Sequence, residues 1–440
     1  MANTRLQRTF SQAATSTKKG TFSFWMKRAS ISGEQDILAS PYGSGRSFIR
    51  FESSGQMYGT INNASDSYIT NMKFRDTSAW YHIVLAIDLT QSTSTDRLKF
   101  YVNGDLVTSY SSQSAPSSSE TISWGQNGKI TDIGYDTTDG GAGYFNGSLS
   151  HIHWIDGTAY DASAFGETDS TTGEWEIKTS PSVTYGTNGF FILKDGNSVT
   201  DQSGNSNNFT VGGGTLTKTE DSPSNVFATL NPLDNQNQGS TLTVGNNKIE
   251  WNTDNKNNFT TLAMNAGKYY WEMKYVITTG GQNAMIGVSK LDTRQGDSYA
   301  GHDGNSWSYY SNSGQKYHNG SGTSYGNSWG TDNIIGVAFD TNTRTIWFSK
   351  DGVWQNSATI SEIAAGTTTN SAYTGIGTAG EFFIPCMSGY DGNKAAFNFG
   401  NGYFSTTAVS SAGTNASGNG IFEYDVPTGY TALSTKGLNL

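Results

Sequence analysis

Between Gly267 and Gly402 the chain reads GKYYWEMKYV, then MIGVS, then YHNGSGTSYGNSWGTDNIIGVAFDTNTRTIWFSKDGVW, then FFIPCMSGYDGNKAAFNFGNG. These are strand-length runs in which apolar and polar residues alternate with a period of two, closed by Gly, Asn or Asp. Successive side chains of a strand point to opposite faces, so such a run must bury one face against a second layer. No stretch sustains the 3.6-residue period of a helix. The expected fold class is all-β, with two antiparallel β-sandwich (jelly-roll) domains in series.

The length of 440 residues accommodates two sandwiches of roughly 200 residues each. Hydrophobic residues make up a low 34% and aromatic residues a high 13%. A few large rings can fill thin sandwich cores while Ser, Thr, Asn and Gly cover the outside. The 53 Gly and 7 Pro are scattered as turn punctuation, with no collagen period. The net charge is −10, from 27 basic and 37 acidic residues. Residues 1–215 hold 15 basic and 20 acidic groups and the remainder 12 and 17, so each half is −5. Neither half has the basic surface of a nucleic-acid binder.

Six basic residues (Arg5, Arg8, Lys18, Lys19, Lys27 and Arg28) precede the first acid, Glu34. They read as a solvated first strand and turn, or else as a basic arm able to anchor on an acidic partner. Cys386 is the single cysteine, so no intramolecular disulfide forms, and its apolar run FFIPCM reads as a buried thiol. The start MANTRLQRTF has no apolar signal core and no run reaches membrane-span length. The expectation is synthesis in a reducing cytoplasm, without a signal peptide or membrane insertion.

Residues 1–215 form the first expected domain. Strands are read at Gly20–Arg28, where Phe22, Phe24 and Met26 alternate against Thr21, Ser23, Trp25 and Lys27, and at Ser47–Ser53, Met57–Ile61 and Tyr68–Met72; WYHIVLAIDLT (Trp80–Thr90) reads as a strand buried on both faces. DRLKFYVNGDLVTSY reads as a hairpin whose Asn103-Gly104 supplies the two positive φ angles of a type I′ turn. Residues 216–242, with Pro223 and Pro232, read as a semi-rigid linker. A second sandwich spans 243–404, and 405–440 reads as a loop followed by a sheet-like tail.

The motifs of the second sandwich resemble a SPRY domain, a bent sandwich that binds other molecules and has no known chemistry of its own. FSFWMK, WYHIVLAID, KFYVNGDLV, the IGYD strand and FNGSLSHIHWIDGTAYDASAFGE resemble a laminin-G-like, concanavalin-A-like jelly roll across most of residues 15–170. The segment Gly189–Gly213 resembles an edge of that same fold. The pairing of these domains, joined by DSPSNVFATLNP and ending in VPTGYTALSTK, resembles structural and tail-fibre proteins of tailed bacteriophages, especially those of marine bacteria. That resemblance implies a non-enzymatic virion component, released by lysis and carried as a homo-oligomer, with a trimer the usual habit of fibres. Its partners would be other virion proteins and a host surface glycan, with no nucleic acid. The alternatives are a carbohydrate-active enzyme targeted by the SPRY-like module, and a cytoplasmic SPRY adaptor.

Candidate sites follow from side-chain chemistry. A glycosidase needs two carboxylates about 5–9.5 Å apart; EWEIK places Glu174 and Glu176 on one strand face with no third acid behind them. Glu272 in YYWEMK falls where the SPRY resemblance implies scaffold. His151 and His153 have HxH spacing, but nothing nearby completes a tetrahedral zinc set. Laminin-G-like sandwiches often carry a rim calcium, and Asp195, Asp201, Asn205 and Asn207 lie together in DGNSVTDQSGNSNN; Asp132, Asp136 and Asp139 form a second acidic group. Both sets equally suit Asx turns. Calcium is thus the one cofactor that these residues leave open.

Residues Tyr299–Trp329 read as a loop dense in aromatics. The SPRY resemblance assigns Tyr317, Tyr325 and Trp329 to framework strands. Trp307, Tyr309 and Tyr310 remain as ligand-contact candidates, since exposed rings stack on sugars or enter protein grooves.

Overall fold

The strand Lys19–Arg28 shows how the alternating runs fold. Phe22, Phe24 and Met26 enter the first hydrophobic core, while Thr21, Ser23 and Trp25 lie buried on the opposite face. It pairs antiparallel with Tyr81–Asp88, Phe24 facing Ile83, and with Gly147–Asp156, Phe22 facing Trp154. The computed structural model describes residues 3–42, 45–63, 65–137, 143–194, 199–234, 239–278 and 281–439. Over these residues the regular structure is mostly antiparallel strand, with two short α-helices at Ile360–Ala365 and Thr435–Leu438.

Two units are separated by their internal contacts: residues to Lys218 with Ser222–Ser224, and Thr219–Asp221 with the chain from Asn225 onward. In the first unit a six-stranded sheet runs in the order Phe190–Ile192, Gly147–Asp156, Lys19–Arg28, Tyr81–Asp88, Leu98–Val102, Asp105–Leu106. It forms one layer of the core, and the second layer is the nine-stranded sheet containing Arg5–Thr9, Gln35–Tyr42, Gly45–Phe51 and Ser67–Lys73. Asn103 and Gly104 have φ of 48° and 89°, the type I′ geometry expected of the turn between Leu98–Val102 and Asp105–Leu106. The segment Gly189–Gly213 supplies both sheets with an edge: Phe190–Ile192 pairs with Gly147–Asp156, and Thr210–Gly213 pairs with Arg5–Thr9.

The N-terminal basic residues are not a free arm. Arg5–Thr9 lies between two neighbours within its sheet. Arg8 donates to Asn207 Oδ1 at 2.7 Å, Lys19 pairs with Asp88 at 3.1 Å, and Arg28 is fully buried over the Phe51 ring. Backbone pairing explains the difference, because a strand interior to a sheet spends its N–H and C=O groups on both sides.

The second unit packs an eight-stranded sheet, centred on Lys268–Val276 and Ile334–Asp340, against a six-stranded sheet. The latter runs Lys256–Phe259, Phe383–Gly389, Met285–Lys290, Ser306–Tyr310, Gln315–His318, Ser321–Ser324. Trp251, Trp271, Trp329 and Tyr309 fill the space between, each at most 1% exposed. Removing a ring of that size from water is worth roughly 4–6 kcal/mol before entropy is charged. Gly389 is required here, since a Cβ would lie 2.3 Å from the Trp251 ring.

The expected linker 216–242 and tail 405–440 are, over most of their length, parts of this second unit. Ala228 N donates to Leu433 O and Thr435 N to Val226 O, both at 2.9 Å, and Phe227 bridges Ser434 antiparallel. Asn419 ties the two segments together, accepting from Asn225 Nδ2 at 2.8 Å and donating to Thr431 Oγ1 at 2.9 Å. The reason is burial: Phe227, Phe422, Val426 and Tyr430 cluster with Tyr270 and Trp347 on the outer face of the eight-stranded sheet. DSPSNVFATLNP and VPTGYTALSTK are two sides of one cover.

Candidate functional site: an uncharged aromatic cleft

Strand alternation sorts the aromatic candidates. On Ser306–Tyr310, Trp307 and Tyr309 point into the core and Tyr310 points outward. Trp307 is 6% exposed and stacks on His318 at 4.8 Å; Tyr309 is 0% exposed and its hydroxyl donates to the Asn327 carbonyl. Neither ring is offered to a ligand, a correction to the sequence reading, which had treated this run as loop. Tyr325 and Trp329 are core rings as well. Tyr317, assigned to framework, instead packs against the outward cluster of Phe259, Met285, Ala300, Ile384 and Cys386 beside Tyr299 and Tyr310.

These outward rings frame a cleft of about 220 Å³. Tyr299, Tyr310 and Tyr317 form its aromatic wall, Ala284, Met285 and Gly389 its apolar lining, and Asn255, Asn283 and Ser388 its polar groups. Tyr317 meets Tyr310 edge-to-face at 5.3 Å and Tyr299 at 6.3 Å. The Tyr310 hydroxyl donates to Asn283 Oδ1 at 2.5 Å, which orients the amide and leaves its Nδ2 without a partner among the described residues. Ser388, 2% exposed, accepts from Ala300 N at 3.1 Å. Among the described residues lining the cleft, none is charged. Cys386 lies in the adjoining cluster, fully buried, and burial drives its thiol far above the ordinary range, where it is inert.

The other candidates are absorbed by structure. Asp201 Oδ1 accepts from Phe191 N at 2.8 Å and Ser203 N at 2.9 Å, and its Oδ2 accepts from Asn207 N and Ser203 Oγ, both at 2.8 Å. Asn205 donates to the Gly186 and Gly189 carbonyls, and Asn207 to those of Thr187 and Gly189. Oxygens so engaged brace a loop, and these residues do not present a converging calcium shell; Asp195 and Asp139 lie outside the described residues. Asp132 accepts from Thr137 and Asp136 pairs with Arg46 at 2.8 Å. Among the described residues no three His, Cys, Asp or Glu side chains group as metal ligands.

His151 sits at a bulge with φ of 48°, so the HxH pair does not share a regular strand face. His153 stacks on Phe191 at 4.0 Å and bonds the Tyr185 hydroxyl at 2.9 Å; burial holds its ring neutral. Glu174 and Glu176 are exposed on or beside a two-stranded hairpin, Gly166–Thr168 with Trp175–Ile177, where Glu176 faces Glu167. They line no cleft.

Two buried polar residues escaped sequence reasoning as organisers. His82 stacks between Trp25 at 4.8 Å and Trp175 at 5.9 Å. Its Nδ1 accepts from Trp175 Nε1 at 3.0 Å, so Nε2 carries the proton and donates to Ser23 Oγ at 2.8 Å. Glu272 is 0% exposed and points to the outer face of the eight-stranded sheet. Its carboxylate accepts from Glu423 N and Tyr424 N, each at 2.9 Å, from Tyr270 Oη at 3.0 Å and from Asn398 Nδ2 at 3.2 Å. Glu272 is thus scaffold, and it clasps the C-terminal segment.

Comparison with known proteins agrees with the two folds. Residues 7–163 match the concanavalin A-like lectin/glucanases superfamily and residues 268–402 match the SPRY domain. The chain therefore carries a concanavalin A-like domain followed by a SPRY domain. No curated protein matches the chain. Among solved structures it is similar to the SPRY domain of human HERC1, with 22% identity over 36% of this chain and 92% of that one, at a TM-score of 0.29. It is also similar to the TRIM65 PSpry domain, with 16% identity over 39% and 91%, at 0.30.

Proposed function

We propose that the protein is a non-enzymatic virion component of a tailed bacteriophage, a tail-fibre or receptor-binding protein that adheres to host-surface glycan or to neighbouring virion proteins. The observation that carries the binding part of this reading is the uncharged aromatic cleft, left open on a scaffold whose other candidate groups are consumed by packing. The DSPSNVFATLNP and VPTGYTALSTK segments support the phage part, since they were singled out together by resemblance and fold together as one cover. The protein is made in the host bacterial cytoplasm and joins the particle as a homo-oligomer, for which a trimer is our expectation. Multiple copies would raise weak single contacts into firm attachment through effective concentration.

Mass spectrometry of purified particles tests the assignment, together with adhesion of the fluorescently labelled protein to host cells. Presence in stoichiometric amounts and saturable adhesion are expected. Absence from particles returns the cytoplasmic adaptor reading.

A further inference from the structure

We infer that the cleft between Tyr299, Tyr310 and Tyr317 is a site for one neutral pyranose residue of a glycan. The inference rests on the adhesion reading above and supplies its ligand class. A pyranose has an apolar face of C–H groups and a rim of hydroxyls that both donate and accept. The cleft offers both: its lining combines three tyrosine rings with uncharged hydrogen-bonding groups.

The polar groups are available. Among the described residues, Asn283 Nδ2 and the Asn255 side chain have no hydrogen-bond partner, and neither do the Tyr299 and Tyr317 hydroxyls. The Ser388 hydroxyl accepts from Ala300 N and keeps its own proton to give. The Tyr310–Asn283 bond presets the amide, so its orientation costs little when a ligand arrives.

Size and charge narrow the ligand further. Clefts that enclose drug-sized molecules run to roughly 300–1,000 Å³; about 220 Å³ suits a single ring at a chain end or branch. With no cationic residue in the lining, a sialic acid, uronic acid or sulfated sugar would lose hydration of its charge with no compensating partner. A quaternary ammonium group would find rings, but the convergent amide and hydroxyl donors would then face a group that accepts nothing.

The test is binding of the full chain to immobilised glucose-, galactose- and mannose-terminated oligosaccharides, alongside sialylated and sulfated ones, with choline chloride as a competitor. Wild type should bind at least one neutral sugar. Asn283→Ala and Tyr317→Ala should each weaken it by about tenfold, near 1.4 kcal/mol, with unfolding midpoints recorded for both. Asn255→Gly, at an exposed position with φ of 58°, removes the amide while keeping a backbone that glycine adopts without strain, and it should weaken binding about threefold. No neutral-sugar binding, a preference for acidic sugars or displacement by choline overturns the ligand class. Binding unchanged in all three variants overturns the site. If these fail while the labelled protein still adheres to host cells and copurifies with particles, the adhesion reading stands and only this inference falls.

Discussion

Both six-stranded sheets carry large side chains on the face turned away from their core; one is covered throughout and the other keeps an open patch. In the first unit Val84 and Ile155 are sealed by Ala162 and Phe165 of the chain from Thr158 to Tyr185, whose Trp175 caps the His82 ring. In the second unit the equivalent layer bears Met285, Tyr310 and Tyr317, and it is left open as a cleft. The eight-stranded sheet of the second unit repeats the sealed pattern, with Glu272 clasping the cover. An outward aromatic is therefore not by itself a contact residue. What matters is whether a later segment holds a polar anchor to cover it, as indole N–H does for His82 and backbone N–H does for Glu272.

The comparison breaks first at the boundary between inward and outward rings. Tyr309→Ala should cost about 3–5 kcal/mol of stability, whereas Tyr310→Ala should cost less than half as much, since its ring is only half-buried. Denaturant midpoints decide; equal losses would mean that the outward face is as structural as the core. Next comes the clasp. Glu272→Ala leaves two backbone donors, a tyrosine hydroxyl and an amide without their acceptor, a loss on the order of 3 kcal/mol. Proteases should then cut within residues 405–434, and a resistant tail would count against the clasp.

The two anchors should also respond to pH in opposite directions. Burial raises Glu272 from 4.5 to about 7, so the folded protein keeps a proton that the unfolded chain releases. Its contribution is full below about pH 4.5 and is lost as pH rises to about 7. Burial lowers His82 from 6.5 to about 3, so that contribution is present above about pH 6.5 and is lost as pH falls toward 3. The difference in unfolding free energy between wild type and Glu272→Gln, followed across this range, should change with that sign; a flat difference would remove the argument. Trp175→Ala should cost about 2 kcal/mol, as its indole is only partly buried. It should also lift the His82 titration toward its ordinary value, read by NMR. The smallest effect belongs to Glu174→Gln with Glu176→Gln, within about 0.5 kcal/mol. Any polysaccharide turnover that this pair abolished would revive the enzymatic alternative.

How far the sequence reading reached can be seen residue by residue. Phe22, Phe24 and Met26 were assigned to one face by alternation alone, and the Asn103-Gly104 turn by its φ requirement. Both are local properties of a strand or a turn. Trp307 and Tyr309 were misjudged because YY at 309–310 obscures the alternation and the flanking Gly and Asn suggest a loop. Tyr310 was selected as a contact residue and does line the cleft, but Asn283, Ser388 and Asn255 lie on other strands and turns and carry no mark in their own neighbourhoods. His82 gave no signal, and Glu272 was read as scaffold only through the SPRY resemblance, since a polar residue within an apolar strand reads alike whether its face meets solvent or a cover.

The amino-acid order by itself determined the sheet class, the two-sandwich succession and most strand positions, because period-two alternation and turn chemistry act over a few residues. Tertiary structure alone decided which outer faces are sealed and which stays open. That choice depends on segments more than a hundred residues apart, such as Glu272 and Tyr424, meeting so that a buried acceptor finds its donors.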